Sequence, residues 1–394
     1  MGKSSGDIQN CKKYGVPLYG AAWVPSGALG SIPNSSRSGD DDSTSLPPSN
    51  IIGNHVLLAG GGGEGSSGIP NTLLISKYDS ESNYLSDEPV AKLGTGADVP
   101  YRVAVHPGGD GLICALPKSC RWFEWDADRS TDDYTLSLKS SEKVLNHLED
   151  VGQQLALNFN SEGSLLAVGG EDGKLRAFKW PSMELILDED NVHASVKDLD
   201  FSPDGRFLVS VGGGPAKVWD VEKSTSITSL HKANDEKFAF CKFSRMTDEN
   251  KVLYIIAMHG KGSSILTWNT TTWEKISSNL IVRDPICAFN VSADGRSFAA
   301  GTVQGDVYIL SSRNMRVRAI IKKAHLGVVT ALAFSQDSRF LVSVSMDSSA
   351  RVTQIKDEKK NGFQLWVFFL MILLAIVAYY VQSKGLYLQK LVSF

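Results

Sequence analysis

The sequence predicts an all-β fold made of repeated four-stranded units, followed by one apolar helix. Three observations support this prediction. A strand–turn–strand phrase recurs along the chain, its copies are almost evenly spaced, and a nearly uninterrupted apolar run stands close to the C-terminal end. The composition agrees, because 42% hydrophobic and 21% charged residues among 394 are ordinary globular usage. A wholly disordered chain, a collagen and a long coiled coil are therefore excluded.

The recurring phrase is a strand of alternating hydrophobicity, a turn containing Ser, Pro, Asp or Gly, and a second strand. Its turn glycine falls at Gly163, Gly205 and Gly295, at intervals of 42 and 90 residues, and the second interval is about twice the first. Seven copies are recognisable, at 20–27 with 54–61, 103–116, 155–170, 198–213, 241–257, 287–301 and 331–345. A period of about 42–45 residues is the size of a four-stranded WD-repeat blade.

Residues 11–356 are therefore predicted to form a seven-bladed WD-repeat-like β-propeller, in which closure into a ring removes most free strand edges. Trp219 and Trp268 stand where the Trp-Asp dipeptide of such a blade belongs. His193 and His325 each precede a strand–turn–strand unit. They could be read as catalytic, but a role in joining blade strands by hydrogen bonds is favoured. The sequence leaves open how the ring closes.

Three polar segments interrupt the repeat or precede it. Residues 1–10 are predicted to be a flexible N-terminus. Residues 26–50 are rich in Ser, Gly, Pro and Asp, so they cannot bury a core and are predicted to be a disordered insertion in the first blade. Residues 126–150 are polar and charged, and they are predicted to hold a second insertion.

The apolar run at 362–381 predicts a transmembrane helix. Its length at a rise of ~1.5 Å per residue matches the ~30 Å core of a bilayer. A buried helix of a soluble core is the alternative, but such a helix is rarely apolar on every face. Lys and Arg are more frequent before the run than after it. The positive-inside bias therefore predicts a cytosolic propeller, a linker at 357–361 and a short lumenal tail at 382–394.

Charge and cysteine usage exclude two further classes of function. The net charge of −3 and the absence of a basic stripe argue against nucleic acid as the main ligand. The five cysteines show no CxxC pair and no Cys/His spacing, so neither a zinc site nor a disulfide framework is expected. The scattered Ser, His and Asp residues form no recognisable nucleophile elbow.

One segment departs from the repeat. Between the predicted strands 55–59 and 72–78 lies the run GGGGEGSSGIPN at 60–71, whereas an ordinary blade hairpin needs only about two to five residues. Such a loop can converge its N–H groups on an anion or its carbonyls on a cation of K⁺ type. A flexible solvated loop is the third possibility, but the stiff Ile-Pro-Asn tip argues against it. No helix follows, so a nucleotide-binding P-loop or a dinucleotide-binding fold is rejected.

This loop, the preceding YGVPLYGAAW at 14–23 and the single C-terminal anchor resemble the Sec-type guanine-nucleotide-exchange factors of the endoplasmic reticulum, plant members in particular. The resemblance implies a GTPase regulator rather than a chemical catalyst. Such a regulator releases GDP from a Sar-type small GTPase at the endoplasmic reticulum membrane, which initiates COPII coat assembly and transport to the Golgi. The implied partners are this GTPase, in its GDP-bound and nucleotide-free states, and membrane lipid around 362–381, with neither nucleic acid nor a small-molecule substrate.

The resemblance also implies the site. Asn71 matches the key catalytic residue, with Pro70 and Ile69 at the adjacent tip, and Asn71 is expected to hydrogen-bond groups of the GTPase that support nucleotide or Mg²⁺. A structural K⁺ ion is expected to be held by backbone carbonyls within the set Gly60, Gly61, Gly62, Gly63, Gly65, Ser66, Ser67 and Gly68. The alternative function is a non-catalytic propeller scaffold, anchored in the endoplasmic reticulum, that assists the exit of membrane cargo such as transporters. The related plant propeller of this kind lacks the loop, which this sequence keeps.

Overall fold

The computed structural model describes residues 10–28, 55–63, 65, 67–130, 133–246, 252–260, 262–356 and 365–392. The chain divides into two compact units, Met1–Ile355 and Lys356–Phe394. The first contains seven antiparallel sheets and the second contains a helix. Of the predicted segments, 1–10 and 26–50 lie mostly, and the linker 357–361 wholly, outside the described residues.

The strands follow the chain from blade to blade. Up to the third blade they are β1 (Cys11–Lys13), β2 (Leu18–Trp23), β3 (His55–Gly60), β4 (Asn71–Asp79), β5 (Tyr84–Leu85), β6 (Ala91–Gly96), β7 (Arg102–Val105), β8 (Gly111–Ala115), β9 (Cys120–Ser130), β10 (Asp133–Ser140), β11 (Gln154–Phe159), β12 (Leu165–Gly170), β13 (Leu175–Lys179) and β14 (Glu184–Glu189).

The remaining strands form the other four blades. They are β15 (Asp198–Phe201), β16 (Phe207–Val211), β17 (Ala216–Asp220), β18 (Thr225–Leu230), β19 (Lys237–Phe243), β20 (Val252–His259), β21 (Gly262–Asn269), β22 (Lys275–Val282), β23 (Ile286–Val291), β24 (Ser297–Thr302), β25 (Val307–Ser311), β26 (Val317–Ile321), β27 (Val329–Phe334), β28 (Phe340–Ser345) and β29 (Ser349–Gln354). The prediction of seven repeated units is confirmed, since each recognised copy supplies the first two strands of one blade.

The repeated turn has a common construction. In the fourth blade, the Ser202 hydroxyl accepts a hydrogen bond from the Phe207 amide at 2.8 Å, and the Ser202 carbonyl accepts one from the Gly205 amide at 2.8 Å. Gly205 adopts a φ of 70°, in the left-handed region that glycine enters without strain. The same serine–glycine arrangement closes the turn between β23 and β24, so the sequence phrase specifies the same hairpin in both blades.

The ring closes through the N-terminal strand. β1 pairs antiparallel with β29, with Cys11 opposite Arg351 and Lys13 opposite Ser349. The seventh blade therefore consists of β27, β28, β29 and β1. This arrangement covers the outer edge of the last blade with the first strand of the chain, and it answers the question of closure that the sequence left open.

The two histidines of the repeat are structural, as predicted. His325 shares hydrogen bonds with the hydroxyls of Ser349 at 2.5 Å and Ser343 at 2.8 Å, and His193 shares one with Ser210 at 3.0 Å. Burial lowers the pKa of both imidazoles to about 4, so both are neutral at pH 7. Each of them bonds to the second strand of the blade that follows it.

Charged side chains on the innermost strands also join the blades. Lys242 of the fifth blade pairs with Asp198 of the fourth at 3.0 Å. Arg102 of the second blade donates to the carbonyls of Tyr19 at 3.0 Å and Leu155 at 3.2 Å, which belong to the first and third blades. These bonds satisfy the polar groups around the central channel and hold neighbouring blades together.

The second predicted insertion contributes partly to the core. β9 and β10 form a long hairpin in which Asp133 pairs with Ser130 and Ser140 with Phe123. Leu136 and Leu138 of β10 are buried in a cluster that includes residues of the first blade. The connection that follows contains a short 3-10 helix, Asn146–Leu148. The polar composition of 126–150 therefore conceals an apolar face that covers the first blade.

The second unit contains one helix, α1 (Leu365–Val392), which extends past residue 381, where the predicted span ends. Among the residues that the structure describes, no helix combines the length and the apolar character needed to cross a membrane.

Candidate functional site

The glycine-rich segment connects the second and third strands of the first blade. β3 extends to Gly60 and β4 begins at Asn71, so the connection proper is 61–70, here called the glycine loop. Gly60 lies opposite Thr72 in the ladder and belongs to the sheet. A Cβ atom on Gly60 would lie 2.1 Å from the carbonyl oxygen of Pro17, which makes glycine necessary at the base of the loop.

Asn71 fastens the glycine loop to its surroundings. Its side chain is only 5% exposed. The amide nitrogen donates to the carbonyl oxygens of Gly96 at 3.1 Å and Ala97 at 2.9 Å. It also lies 3.4 Å from the carbonyl of Gly63, while the amide oxygen accepts a hydrogen bond from the Gly63 amide at 3.0 Å. This set of bonds, here called the Asn71 clamp, links the loop to the connection that leads into the second blade.

The two arms of the glycine loop pack too closely for side chains. A Cβ atom on Gly61 would lie 2.2 Å from the amide oxygen of Asn71 and 2.6 Å from its Cα. A Cβ atom on Gly62 would lie 2.3 Å from the Ser67 hydroxyl and 2.8 Å from the Cβ of Ile69. Gly65, by contrast, is exposed and has nothing within 4 Å of such an atom. Glycine is therefore required along the arms and not at Gly65.

The tip of the loop is anchored on one side and exposed on the other. Ile69 is half-buried against the hydrophobic cluster that contains Val16 and Leu18. The Gly61 amide donates to the carbonyl of Pro17 at 3.0 Å. Among the described residues of the loop, Gly65, Ser67, Gly68 and Pro70 are exposed. The loop is therefore attached to the propeller through Gly61 and Ile69, and these four exposed residues between and beside them face solvent.

The base of the loop gathers backbone carbonyls. Those of Gly63, Gly96 and Ala97 all lie within 3.4 Å of the Asn71 amide nitrogen. Among the described residues, no group of three His, Cys, Asp or Glu side chains could hold a metal ion. A cation in this region would therefore depend on backbone oxygens, which suit K⁺. The three carbonyls converge on the Asn71 NH₂ group, and of the three only Gly63 belongs to the predicted ligand set.

The predicted ligands of that ion differ in where the structure places them. Gly60 lies within the strand ladder, and Ser66 lies outside the described residues. The predicted ligands that lie in the described part of the loop are Gly61, Gly62, Gly63, Gly65, Ser67 and Gly68.

Two further contacts lie beside the loop. Asp98 pairs with Arg121 of the second blade at 2.9 Å, and the Thr95 hydroxyl donates to the Asp98 carbonyl at 2.6 Å. The rings of Tyr19 and Tyr101 lie 5.8 Å apart, and burial raises the pKa of Tyr19. The stretch around Asp98 reads as an ordinary turn, so nothing in its composition signals that it holds the Asn71 clamp.

Comparison with known proteins identifies the repeat and the relatives. The model of the WD domain, G-beta repeat, matches residues 187–220 and 317–353, which cover parts of the third, fourth, sixth and seventh blades. SEC12-like protein 2 of Arabidopsis thaliana is 50% identical over 359 residues, which are 91% of each chain. SEC12-like protein 1 of the same plant is 31% identical over 320 residues, 79% of this chain and 78% of that relative.

A more distant relative has a name that states an activity. The guanine nucleotide-exchange factor SEC12 of Rattus norvegicus is 25% identical over 264 residues, 60% of this chain and 62% of the rat protein. Its name describes a regulator rather than a catalyst of covalent chemistry. The resemblance seen in the glycine-rich segment is thus confirmed over most of the chain, and the protein belongs to the SEC12-like family.

Proposed function

We propose that the protein is a guanine-nucleotide-exchange factor that releases GDP from a Sar-type small GTPase at the endoplasmic reticulum membrane. It thereby starts COPII coat assembly and transport to the Golgi. The name of the rat relative supports the activity. The observation that carries the proposal is the Asn71 clamp, which holds an exposed glycine loop in a defined position on the propeller.

The proposed mechanism needs no covalent step. A small GTPase holds GDP through its P-loop and Mg²⁺, with its switch regions in place. An exchange factor works by binding the nucleotide-free state more tightly than the GDP-bound state. The exposed residues Ser67, Gly68 and Pro70 insert beside the switch regions and displace the groups that support Mg²⁺. Because the described residues of the loop are already ordered, their ordering cost of ~1–2 kcal/mol per residue is met before binding.

Asn71 acts in this mechanism by positioning the loop. A direct contact between its amide and the GTPase would require breaking the bonds to Gly96 and Ala97, at ~0.5–1.5 kcal/mol each. If Asn71 keeps those bonds and the tip of the loop stays fixed while it contacts the GTPase, that cost is avoided. A tenfold faster release corresponds to only ~1.4 kcal/mol, so a small displacement of a precisely placed loop changes the rate measurably.

A K⁺ ion is proposed as the structural partner of the loop. When bound, it supplies a positive charge that offsets the mutual repulsion of converging carbonyl dipoles. The candidate ligands are backbone oxygens of 61–68, with the Gly63 carbonyl shared with Asn71. The Asn71 clamp and the ion would then order the same short segment from two sides.

The C-terminal apolar segment is proposed to be the membrane anchor, with the propeller in the cytosol and the tail in the lumen. Its support is the composition of 362–381 and the excess of Lys and Arg before it. A sequon added after Phe394 should be glycosylated in microsomes if the tail is lumenal. If the added sequon stays unmodified, the proposed orientation of the segment is wrong.

The test of the exchange activity is fluorescent GDP release from a purified Sar-type GTPase, with the full chain in detergent or liposomes and K⁺ as the salt. Catalytic amounts of the protein should accelerate release more than tenfold, and a small GTPase of another family should not respond. No acceleration would reject the proposal in favour of a non-catalytic scaffold. Replacing K⁺ by Li⁺ at equal ionic strength should slow release, and an equal rate would reject the ion.

A further inference from the structure

The glycine loop is too small to bind a protein partner by itself. It has ten residues, 61–70, of which four described ones are exposed. A stable protein interface needs about 20–30 residues and about 800 Å² on each partner. A GTPase that binds the loop must therefore rest on additional surface of the propeller, and the structure shows where suitable surface lies.

Most connections between second and third strands, and from one blade to the next, lie at the end of the propeller that carries the glycine loop, here called the loop face. Large exposed apolar side chains mark surface that gains from being covered. In the described part of the propeller they are Val144, Leu185, Ile227, Met246, Ile276, Leu280, Val317, Ile320, Leu326 and Met346.

Only two of these described side chains belong to the loop face. Six lie on the outer strands β14, β18, β22 and β26. Met246 follows β19 at the opposite end, and Val144 lies next to Lys143, which bonds to the carbonyl of Pro181 in a turn of that opposite end. The remaining two lie in neighbouring connections: Leu326 lies between β26 of the sixth blade and β27 of the seventh, and Met346 lies between β28 and β29.

Leu326 and Met346 are held in place although they are exposed. Leu326 is 79% exposed and Met346 is 50% exposed. The Leu326 amide donates to the carboxylate of Asp347 at 2.6 Å, and the Met346 amide donates to the carbonyl of Val328 at 3.4 Å. Asp347 also accepts a bond from the Ser349 amide at 3.0 Å. Two apolar side chains are thus presented to solvent by turns that are already ordered.

A chain of backbone contacts connects this pair to the glycine loop. The carbonyl of Ser348, two residues after Met346, accepts a hydrogen bond from the Tyr14 amide at 2.9 Å. Pro17, three residues further, accepts one from the Gly61 amide at 3.0 Å. Tyr14 is itself fixed by a bond from its hydroxyl to the Ser86 carbonyl at 2.8 Å. The seventh-blade turns and the glycine loop are therefore parts of one continuous strip.

The surroundings of the pair indicate the chemistry of its partner. Lys322 and Lys323 precede Leu326 in the same connection, and Lys13 lies opposite Ser349; all three lysines are exposed. The carboxylates in the same turns, Asp306 and Asp347, accept hydrogen bonds from the amides of Lys323 and Leu326. An apolar pair with a basic rim is complementary to an apolar patch with an acidic rim.

We propose that Leu326 and Met346 form a second docking contact for the small GTPase that binds the glycine loop, through a patch of that GTPase that is apolar with an acidic rim. This inference rests on the proposed exchange function. It assigns binding to the seventh blade and the displacement of nucleotide to the first.

The test is the GDP-release assay with the full chain, at varied GTPase concentration. Leu326→Asp should raise the KM at least tenfold and leave kcat within twofold, because it weakens docking without touching the loop. Leu326→Ala should raise the KM about threefold. The matched control is Ile276→Asp on β22, which alters a side chain of 58% exposure on an outer strand and should stay within twofold of the unaltered protein.

The outcomes separate the two proposals. No stimulation by the unaltered protein would reject the exchange function itself. Stimulation with an unchanged KM for Leu326→Asp would reject the docking contact while the exchange function stands. If Leu326→Asp raised the KM on liposomes but not in detergent, the pair would be a membrane contact and the proposal would be overturned.

Discussion

The side-chain amide nitrogen of Asn71 lies 2.9 Å from the carbonyl oxygen of Ala97 and donates a hydrogen bond to it. Asn71 begins β4, and Ala97 follows β6 in the connection to the second blade. One side chain therefore sets the position of the glycine loop relative to the neighbouring blade. The bond needs an NH₂ group, which distinguishes Asn from its isosteric acid.

Asn71→Asp should abolish most of the exchange activity. The variant loses the donor to Gly96 and Ala97 and sets a carboxylate oxygen against those carbonyls, which costs ~1–3 kcal/mol per unsatisfied group. Stimulated GDP release should fall at least tenfold, and hydrogen–deuterium exchange of 61–69 should rise. Asn269→Asp is the control, since only its amide oxygen is seen to act, accepting from the amides of Thr271 at 2.7 Å and Thr272 at 3.0 Å. Full activity of Asn71→Asp would contradict the positioning role.

Two glycines of the same loop should respond differently to alanine. Gly61→Ala places a methyl group against the backbone of Asn71 and forces the clamp apart, so exchange activity should fall at least tenfold. Gly65→Ala places the methyl group in open space and should stay within twofold of the unaltered protein. The measurement is GDP release at saturating GTPase. Equal losses in both variants would show that general flexibility, rather than close packing, is what the loop requires.

Stability should fall as the pH drops from about 6.5 to about 4. Burial lowers the pKa of His193 and His325 to about 4, whereas an unfolded histidine titrates near ~6.5. Between these two pH values the unfolded state binds protons that the folded state does not. Each histidine therefore lowers the free energy of unfolding by up to ~3 kcal/mol. Urea denaturation of the full chain at several pH values measures this loss. His325→Gln should flatten the dependence, and an unchanged slope would exclude His325 as its source.

Removal of the first strand should destabilise the closed ring. Deleting residues 1–13 removes β1 and its three ladder pairs with β29, which leaves the outer edge of the seventh blade open. The melting temperature should fall by about 5 °C. Deleting 1–9 retains Asn10, whose carbonyl accepts a bond from the Val352 amide at 2.9 Å, and should have little effect. Equal melting temperatures for the two truncations would mean that β1 adds nothing to closure.

The fold was predictable because its information is local. The fourth and sixth blades repeat a serine–glycine turn between two alternating strands, and both the strand period and the turn chemistry lie within about sixteen residues. Ring closure was not predictable on the same grounds, since β1 is only the three residues Cys-Lys-Lys, without any pattern of its own. The hairpin of β9 and β10 was missed because its polar residues outnumber the leucines that it buries.

The glycine loop was predictable as a segment, but its contacts were not. The run of glycines predicted an unusual loop. The closely packed arms of that loop explain why glycine recurs there. The partners of Asn71 lie 25 and 26 residues further along the chain, in a turn of ordinary composition. Leu326 and Met346 sit in regular repeat units, and only the fold shows that their turns lie beside the first blade.

Pairing between β1 and β29 also affects how the protein is made. Cys11 and its partner Arg351 are separated by some 340 residues of chain. At a synthesis rate of ~5–20 residues per second, the earlier strand waits ~20–70 s for the later one to leave the ribosome. During that interval six blades can stack while the seventh is still incomplete, so the newly made propeller has an unpaired strand edge until β29 is synthesised.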